Sequence, residues 1–235
     1  MSWRVPAANE TRNILGSQVL GNKADSGGHG SVIGWLKSLV RDGLIVGQPW
    51  FVDSVGGLAT YDGKAFTQAK ATIATAVALA SANDTIFLRG TFSEAVICSL
   101  AGVRFIGVGT SKRQTSWTAP TVAGSYCLQL AAAYCHLENL YIKPVIYTTS
   151  GTPSGVSLSG ANYTTIRKCR FQGQTGSYAA VYSPVCDSDN VEIDDCDFMY
   201  MNTASNGAAI LGVEAGGLSY SGWKILNNRF LSCVT

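Results

Sequence analysis

The chain has 235 residues, 46% of them hydrophobic and 14% charged, with a formal net charge of +2. That length can bury one sizeable core with a small appendage, and low charge with 26 glycines suits an all-β or repeat protein better than a helical one. The Lys and Arg residues are scattered and form no long basic stripe, so no nucleic-acid partner is expected.

The opening residues, MSWRVPAANETRN, lack the basic stretch and apolar run of a signal peptide. No apolar segment reaches the ~18 residues of a membrane span, so no membrane partner is expected. Seven cysteines, an odd number without a C-x-x-C, read as buried free thiols in a protein made in a reducing cytoplasm. Without a secretion route, the N-x-T triplets opened by Asn9, Asn83 and Asn162 read as chance matches.

Residues 16–31, GSQVLGNKADSGGHGS, have no apolar period and read as an irregular arm. A helix is predicted next, with Ser31 as its N-cap and Gly43 ending it. Ile33, Leu36 and Val40 follow the spacing of a heptad seam, with Val32 and Leu39 alongside. A helix of ~12 residues is marginal alone in water, so Ile33, Leu36, Leu39 and Val40 are expected to serve oligomerisation or anchoring. Residues 1–50 thus read as an N-terminal arm with a short anchoring helix, and 51–235 as a separate β domain.

The spacing predicts a second helix over 64–82, with Phe66, Ile73, Val77 and Ala80 on one face and Asn83-Asp84 stopping it. A strand is predicted at once, from Asp84 to Gly90. Beyond residue 95 a repeat governs the reading. Five segments share an apolar residue, a second at +3 and a third at +5. They are Val103-Ile106-Val108, Leu137-Leu140-Ile142, Ile166-Cys169-Phe171, Ile193-Cys196-Phe198 and Ile225-Asn228-Phe230, the last with Asn228 at the middle place. Their starts lie 34, 29, 27 and 32 residues apart. A shorter motif alternates with them: Cys127-Leu128-Gln129-Leu130, Val156-Ser157-Leu158, Ala180-Val181-Tyr182 and Ala209-Ile210-Leu211.

Alternate residues of a strand point the same way, so an odd offset of three requires a bend between the first and second apolar residues. Each repeat is then strand, tight bend, strand. Coils of about 30 residues built this way stack as a parallel β-helix, and five coils at ~4.8 Å make a stem of roughly 25 Å. A leucine-rich horseshoe would need a Leu and Asn ladder that is absent.

The stretch KATIATAVALASANDTIFLRGTFSEAV resembles the opening of right-handed parallel β-helices of the pectate-lyase-like superfamily, where an Ala-rich helix caps the first coil. The preceding GNKADSGGHGSVIGWLKSLVRDGL resembles short N-terminal segments of phage virion proteins that precede such β-helices. The resemblance implies a right-handed parallel β-helix in a head decoration protein, a fibre or a tailspike-like protein. It also implies a homotrimer attached through its N-terminus.

Candidate chemistry centres on VEIDDCDFMY, where Glu192, Asp194, Asp195 and Asp197 crowd together. Aligning the repeats places Arg167 beside Asp194, and Lys168 beside Asp195 and Asn227. It also makes columns of Thr165, Glu192 and Lys224, and of Arg170, Asp197 and Arg229. Opposite charges on neighbouring strands read as a register-setting ladder. The alternative is glycan cleavage by paired carboxylates, with Asp187 and Asp189 as outside candidates. No metal or cofactor is expected. His29 and His136 are the only histidines, and no Cys/His spacing fits zinc. Asp187-Ser188-Asp189 lacks the remaining positions of a calcium loop. Cys169, Cys196 and Asn228 read as small residues inside the bend, and Phe171, Phe198 and Phe230 as core stacked below Ile142 and Val108. Gly107–Arg113 lacks the G-K-[ST] ending of a phosphate loop and reads as a coil turn.

The loops between coils are rich in Tyr, Ser, Thr, Gly and Asn. Trp117, Tyr147, Tyr178, Tyr200 and Tyr220 in or beside them are candidate glycan or partner contacts. The sequence therefore reads as a structural, non-enzymatic virion protein, contacting other virion proteins such as capsid or tail components through residues 1–50. The alternative is a tailspike-type protein that binds or cleaves a host surface glycan. The last repeat leaves an open β-helix edge, which calls for a covering chain or further coils.

Overall fold

The computed structural model describes residues 47–120, 126–144, 154–173, 179–183, 188–200, 208–212, 221–231 and 233. Three parallel sheets run along one solenoid. The first contains β1 (Pro49–Asp53), β2 (Thr85–Arg89), β5 (Arg104–Gly107), β8 (His136–Glu138), β11 (Thr165–Arg167), β14 (Glu192–Asp194) and β17 (Lys224–Leu226). The second contains β3 (Thr91–Ser93), β6 (Ser116–Thr118), β9 (Tyr141–Lys143), β12 (Arg170–Gln172), β15 (Asp197–Met199) and β18 (Arg229–Leu231). The third contains β4 (Val96–Cys98), β7 (Tyr126–Leu130), β10 (Ser154–Leu158), β13 (Ala179–Ser183) and β16 (Ala208–Gly212). The chain is an all-β parallel β-helix, and each coil visits the sheets in turn.

The bend inferred from the +3 offset is a single left-handed residue. Asn139, Lys168, Asp195 and Asn227 have φ of 57°, 50°, 49° and 52°, one residue after their first-sheet strands. Such a conformation costs a non-glycine residue about 1–2 kcal/mol. Hydrogen bonds along the axis offset it: Asn139 N donates to Arg167 O, Lys168 N to Asp194 O and Asp195 N to Leu226 O, at 3.1–3.3 Å. The next residue, Leu140, Cys169, Cys196 or Asn228, then turns inward. Asn228 holds this place with its amide, donating to Ile193 O and accepting from Cys196 N, both at 2.8 Å.

Register follows from these bends. In the first sheet Ile86, Phe105, Leu137, Ile166, Ile193 and Ile225 stack in one column. In the second, Trp117, Ile142, Phe171, Phe198 and Phe230 do so. Phe171 and Phe198 lie parallel at 5.1 Å between ring centres, and Phe198 and Phe230 at 5.0 Å. The short alternating motifs form the third sheet, with Leu128, Val156, Val181 and Ile210 aligned. All six described cysteines are free, and all but Cys233 are buried. Burial pushes the Cys127 thiol up, as expected for an inert side chain in an apolar core.

Three expectations need correction. The first repeat keeps Val103 in the main core but does not point Ile106 and Val108 inward. Phe105 is the residue in register with Leu137, while Ile106 and Val108 join Phe51, Phe87 and Ala69 in a second small core on the outer side. That face is covered because the chain after β1 folds back on it. Lys70 pairs with Val52, and Phe66 packs edge-on to Phe51 at 4.7 Å. Second, Trp117 and not Val108 occupies the column above Ile142. Third, the helix over 64–82 is a 3-10 turn at Phe66–Gln68 and a short α1 at Ile73–Leu79. Thr72 caps α1 through Thr75 N, and both oxygens of Glu94 accept from Ile73 N and Ala74 N. Residues before Thr72 are drawn instead into pairing with β1, where Lys70 N donates to Phe51 O. Ile73 and Ala76 are buried and Val77 and Ala80 pack on the core, whereas Phe66 belongs to the outer cluster.

β1 spans the composition boundary at residue 50, and the seam residues Ile33, Leu36, Leu39 and Val40 lie outside the described residues. In the last described coil Ile225, Leu226 and Phe230 are 44–49% exposed.

The aromatic column sets a graded expectation. Phe198→Ala, cut from between two stacked rings, should lower the unfolding free energy by about 3–5 kcal/mol in urea denaturation. Phe230→Ala, half exposed, should cost clearly less in the same measurement.

Candidate functional site

The outward faces of the first and second sheets meet at the left-handed bends, and the polar residues gather there. Beside the bends, Glu138, Arg167 and Asp194 share one column, and Tyr141, Arg170, Asp197 and Arg229 another. The strand register contains the expected columns of Arg167 with Asp194, of Thr165, Glu192 and Lys224, and of Arg170, Asp197 and Arg229, whereas the Lys168 ammonium reaches Glu138 and Asp195 is reached by Lys112 instead. Arg167 Nε lies 3.4 Å from Asp194 Oδ2, and Asn227 donates to Asp194 Oδ1 at 2.9 Å. Arg229 Nε donates to Asp197 Oδ1 at 3.2 Å.

A strap adds a contact that alignment could not give. Between β5 and β6 the chain leaves the solenoid wall over residues 109–114, since Val108 N still donates to Leu88 O and Thr115 O still accepts from Tyr141 N. Its first end is tied by Asn139, whose amide donates to Gly107 O at 2.8 Å and Gly109 O at 2.9 Å. Gly107 is required there, because a Cβ would lie 2.0 Å from the Asn139 carbonyl oxygen. The other end is tied by buried Thr115, donating to Leu88 O at 2.8 Å. From this strap Lys112 crosses three coil steps, about 14 Å at the strand spacing. Its ammonium reaches Asp195 Oδ1 at 3.0 Å and Asp197 Oδ1 at 3.9 Å, and also donates to Asp195 O.

Glu138 is the most enclosed acid of the face. Its side chain is 10% exposed, with His136 Nε2 at 3.2 Å and Lys168 Nζ at 3.3 Å. Burial alone would raise its carboxyl, but the hydrogen bond and charge of His136 and then Lys168 outweigh it and hold the group below the usual carboxylate range. Asp53 behaves alike: burial opposes ionisation, and the Arg89 guanidinium with the Val55 N–H overcomes it. Burial of Asp84 is likewise outweighed, by the Ser81 N–H, the Trp50 indole and the Gln48 N–H.

Lys143 and Arg170 of this face make no ion pair among the described residues. Lys143 Nζ lies 4.7 Å from the Tyr141 ring centre and the Arg170 guanidinium carbon 5.7 Å from it. The Tyr141 hydroxyl donates to Gln172 Oε1.

Of the aromatic candidates, Trp117 is fully buried and donates its indole N–H to Glu94 O at 2.8 Å. It is a core residue and no surface contact, because the strap inserts extra residues and places Trp117 at the inward position of β6. Tyr200 is 49% exposed, at φ 52° after β15. Tyr147, Tyr178 and Tyr220 lie outside the described residues, as does Asp187. Asp189 is occupied by structure, accepting from Ser221 N at 3.0 Å. No group of three or more His, Cys, Asp or Glu among the described residues is placed to hold a metal ion.

Two residues escaped the sequence reading. Tyr134 and Tyr163 are 62% and 51% exposed and stack at 5.0 Å with planes 5° apart. Both are left-handed, at φ 62° and 57°, in a column otherwise made of Asn83, Gly102, Asn190 and Gly222. The pair of Tyr residues 29 positions apart, at the coil period, was the available signal.

No family model matches the chain, and no curated protein matches it. Among solved structures, Escherichia coli YbhC superposes with a TM-score of 0.52 at 14% identity, covering 98% of this chain and 74% of that one. A pectin methylesterase solved with a hexasaccharide gives 0.49 at 14% identity, covering 77% of this chain. Pectin methylesterase PemA from Erwinia chrysanthemi gives 0.42 at 14%, covering 64%. The chain spans 65% and 54% of those two pectin methylesterase structures. The likeness to YbhC bears on the fold alone, in keeping with the three parallel sheets of the solenoid.

Two measurements test the site. A group whose folded pKa is depressed contributes stability above its unfolded pKa and loses it as pH falls through the folded value. Glu138, Asp53 and Asp84 all carry that sign, so the denaturation midpoint should be flat from pH 7 to about 5 and fall below about 4.3. Glu138→Gln should make the acid limb shallower. Lys112→Ala should open the strap: amide exchange at residues 109–114 should quicken while global stability changes by less than about 1 kcal/mol.

Proposed function

We propose that the chain is the stem of a phage virion structural protein, a capsid decoration protein, fibre or tailspike-like protein. In this reading residues 1–50 anchor it to other virion proteins, and three β-helices associate into the projecting stem. The supporting observation is the state of the outward carboxylates. Glu138, Asp194, Asp195 and Asp197 each have a cation from another coil at 3.0–3.4 Å. Carboxylates so paired stitch coils together, and Glu138, held below the usual carboxylate range, is a poor general acid, which suits a structural rod. Stacked coils whose surface charges lock register resist slippage along the axis.

A second reading, binding of a host surface glycan, is favoured by Tyr134 and Tyr163. Aromatic residues in left-handed backbone, exposed and outside the core, break a local rule without gaining burial. Such positions are where function accepts strain. Their rings offer the flat amphipathic surface on which sugars stack.

Electron microscopy of the native particle, with antibody against this chain, should find it on the virion in a copy number divisible by three. Light scattering of the isolated protein should give a trimer. A monomer that shortens a polysaccharide would overturn the structural reading. Loss of glycan binding in Tyr134→Ala with the trimer intact would establish the second reading.

A further inference from the structure

We infer that the outward face around Tyr141 is an oxyanion-recognition site, taking a carboxylate or sulfate group between Arg170 and Lys143. Arg170 is 7% exposed, and its Nε has no hydrogen-bond partner among the described residues. Its register neighbours are Tyr141 on one side and Asp197 on the other. Asp197 is drawn away, to Arg229 at 3.2 Å and to Lys112 at 3.9 Å. Three cations thus compete for one carboxylate, and Arg170 loses. Its terminal nitrogen meets instead the thioether of Met199, a weak acceptor. Its guanidinium lies toward the Tyr141 ring, with Lys143 against the same ring.

A guanidinium nine-tenths buried without a carboxylate is costly, and among the described residues its side chain meets a ring and a sulfur. Carboxylate and sulfate have the planar or tetrahedral oxygen array that a guanidinium binds through two N–H groups, and a nearby ammonium adds charge without demanding geometry. Lys143 fills that second role, held by its ring and by no ion pair among the described residues. The acids of the first-sheet column, Glu138 and Asp194, have their own cations and do not compete. The oxyanion has two sources, a free inorganic ion or an acidic saccharide, and the experiment separates them. The site stands independently of the virion reading.

The test is calorimetric titration of the full chain with sodium sulfate, at ionic strength held constant by sodium chloride. Parallel titrations use a heparin-derived hexasaccharide and neutral cellohexaose. Saturable sulfate binding is expected, weakened about tenfold or more in Arg170→Met and in Lys143→Ala. In chloride alone Arg170→Met should melt no lower than the parent, because a buried unpaired cation has been removed. Lys143→Ala leaves a partly exposed position and keeps the test open if Arg170→Met does not fold. Tighter binding of the acidic hexasaccharide than of sulfate, with none of cellohexaose, assigns a saccharide; equal binding per charge assigns the free ion. Absence of saturable sulfate and hexasaccharide binding, or binding unchanged in both variants, overturns the proposal.

Discussion

The stack of coils depends on one backbone event, the left-handed residue that follows β8, β11, β14 and β17 of the first sheet. Asn139, Lys168, Asp195 and Asn227 turn the chain through the corner within a single residue. The turn reverses side-chain parity and puts three apolar positions per coil into the interior. Left alone, each such residue is unfavourable by about 1–2 kcal/mol. Stacked, its N–H finds a carbonyl in the next coil, and the cost is shared by neighbours that need the same geometry. The corner therefore belongs to the stack and not to any one coil, as expected of a repeat that cannot bury its core alone.

The corner also organises the surface. Because register is set there, the residue before it lands in one column and the residue two after it in another. Charges placed at those positions meet their opposites automatically: Arg167 with Asp194, Asp197 with Arg229. Several of these partners are well exposed, so each pair contributes little to stability. Their larger effect is on specificity. Slipping a strand by one residue would turn Ile193 outward and Asp194 inward, and would break both the apolar column and the charge column at once.

Because the corner is periodic, the solenoid from Leu137 to Phe230 was legible in the sequence. The +3/+5 spacing is the direct imprint of the bend, so strands, register and charge columns could all be read from it. What lacked periodicity could not be read. The first coil carries Phe105 in the place assigned to Val103 because a second, outward core competes for Ile106 and Val108. Trp117 looked like a loop residue because the strap lengthens its coil and displaces the third apolar position. The helix was overextended because Ala and Thr over 64–71 carry no signal that β1 would recruit them as a pairing edge. Glu94, which closes the N-terminus of α1, lies 21 residues from Ile73 and had no local mark.

The same logic separates the parts of the outer face that serve the stack from those that do not. A residue recruited for stacking has a partner one coil above or below, at its own register position. Glu138, Asp194 and Asp195 meet that condition or are reached by the strap. Tyr134 and Tyr163 meet it only with each other, and their column elsewhere uses Asn or Gly, the residues that accept left-handed backbone most readily. Replacing small, permissive residues by exposed tyrosines adds strain while burying little. Arg170 fails it differently: its register partner is an acid, but that acid is already engaged by two cations. Lys112 and Arg229 both engage Asp197, so the strap supplies one of the two contacts that hold this acid from Arg170. A loop that crosses three coils to capture a carboxylate thus shapes the charge of the face beneath it.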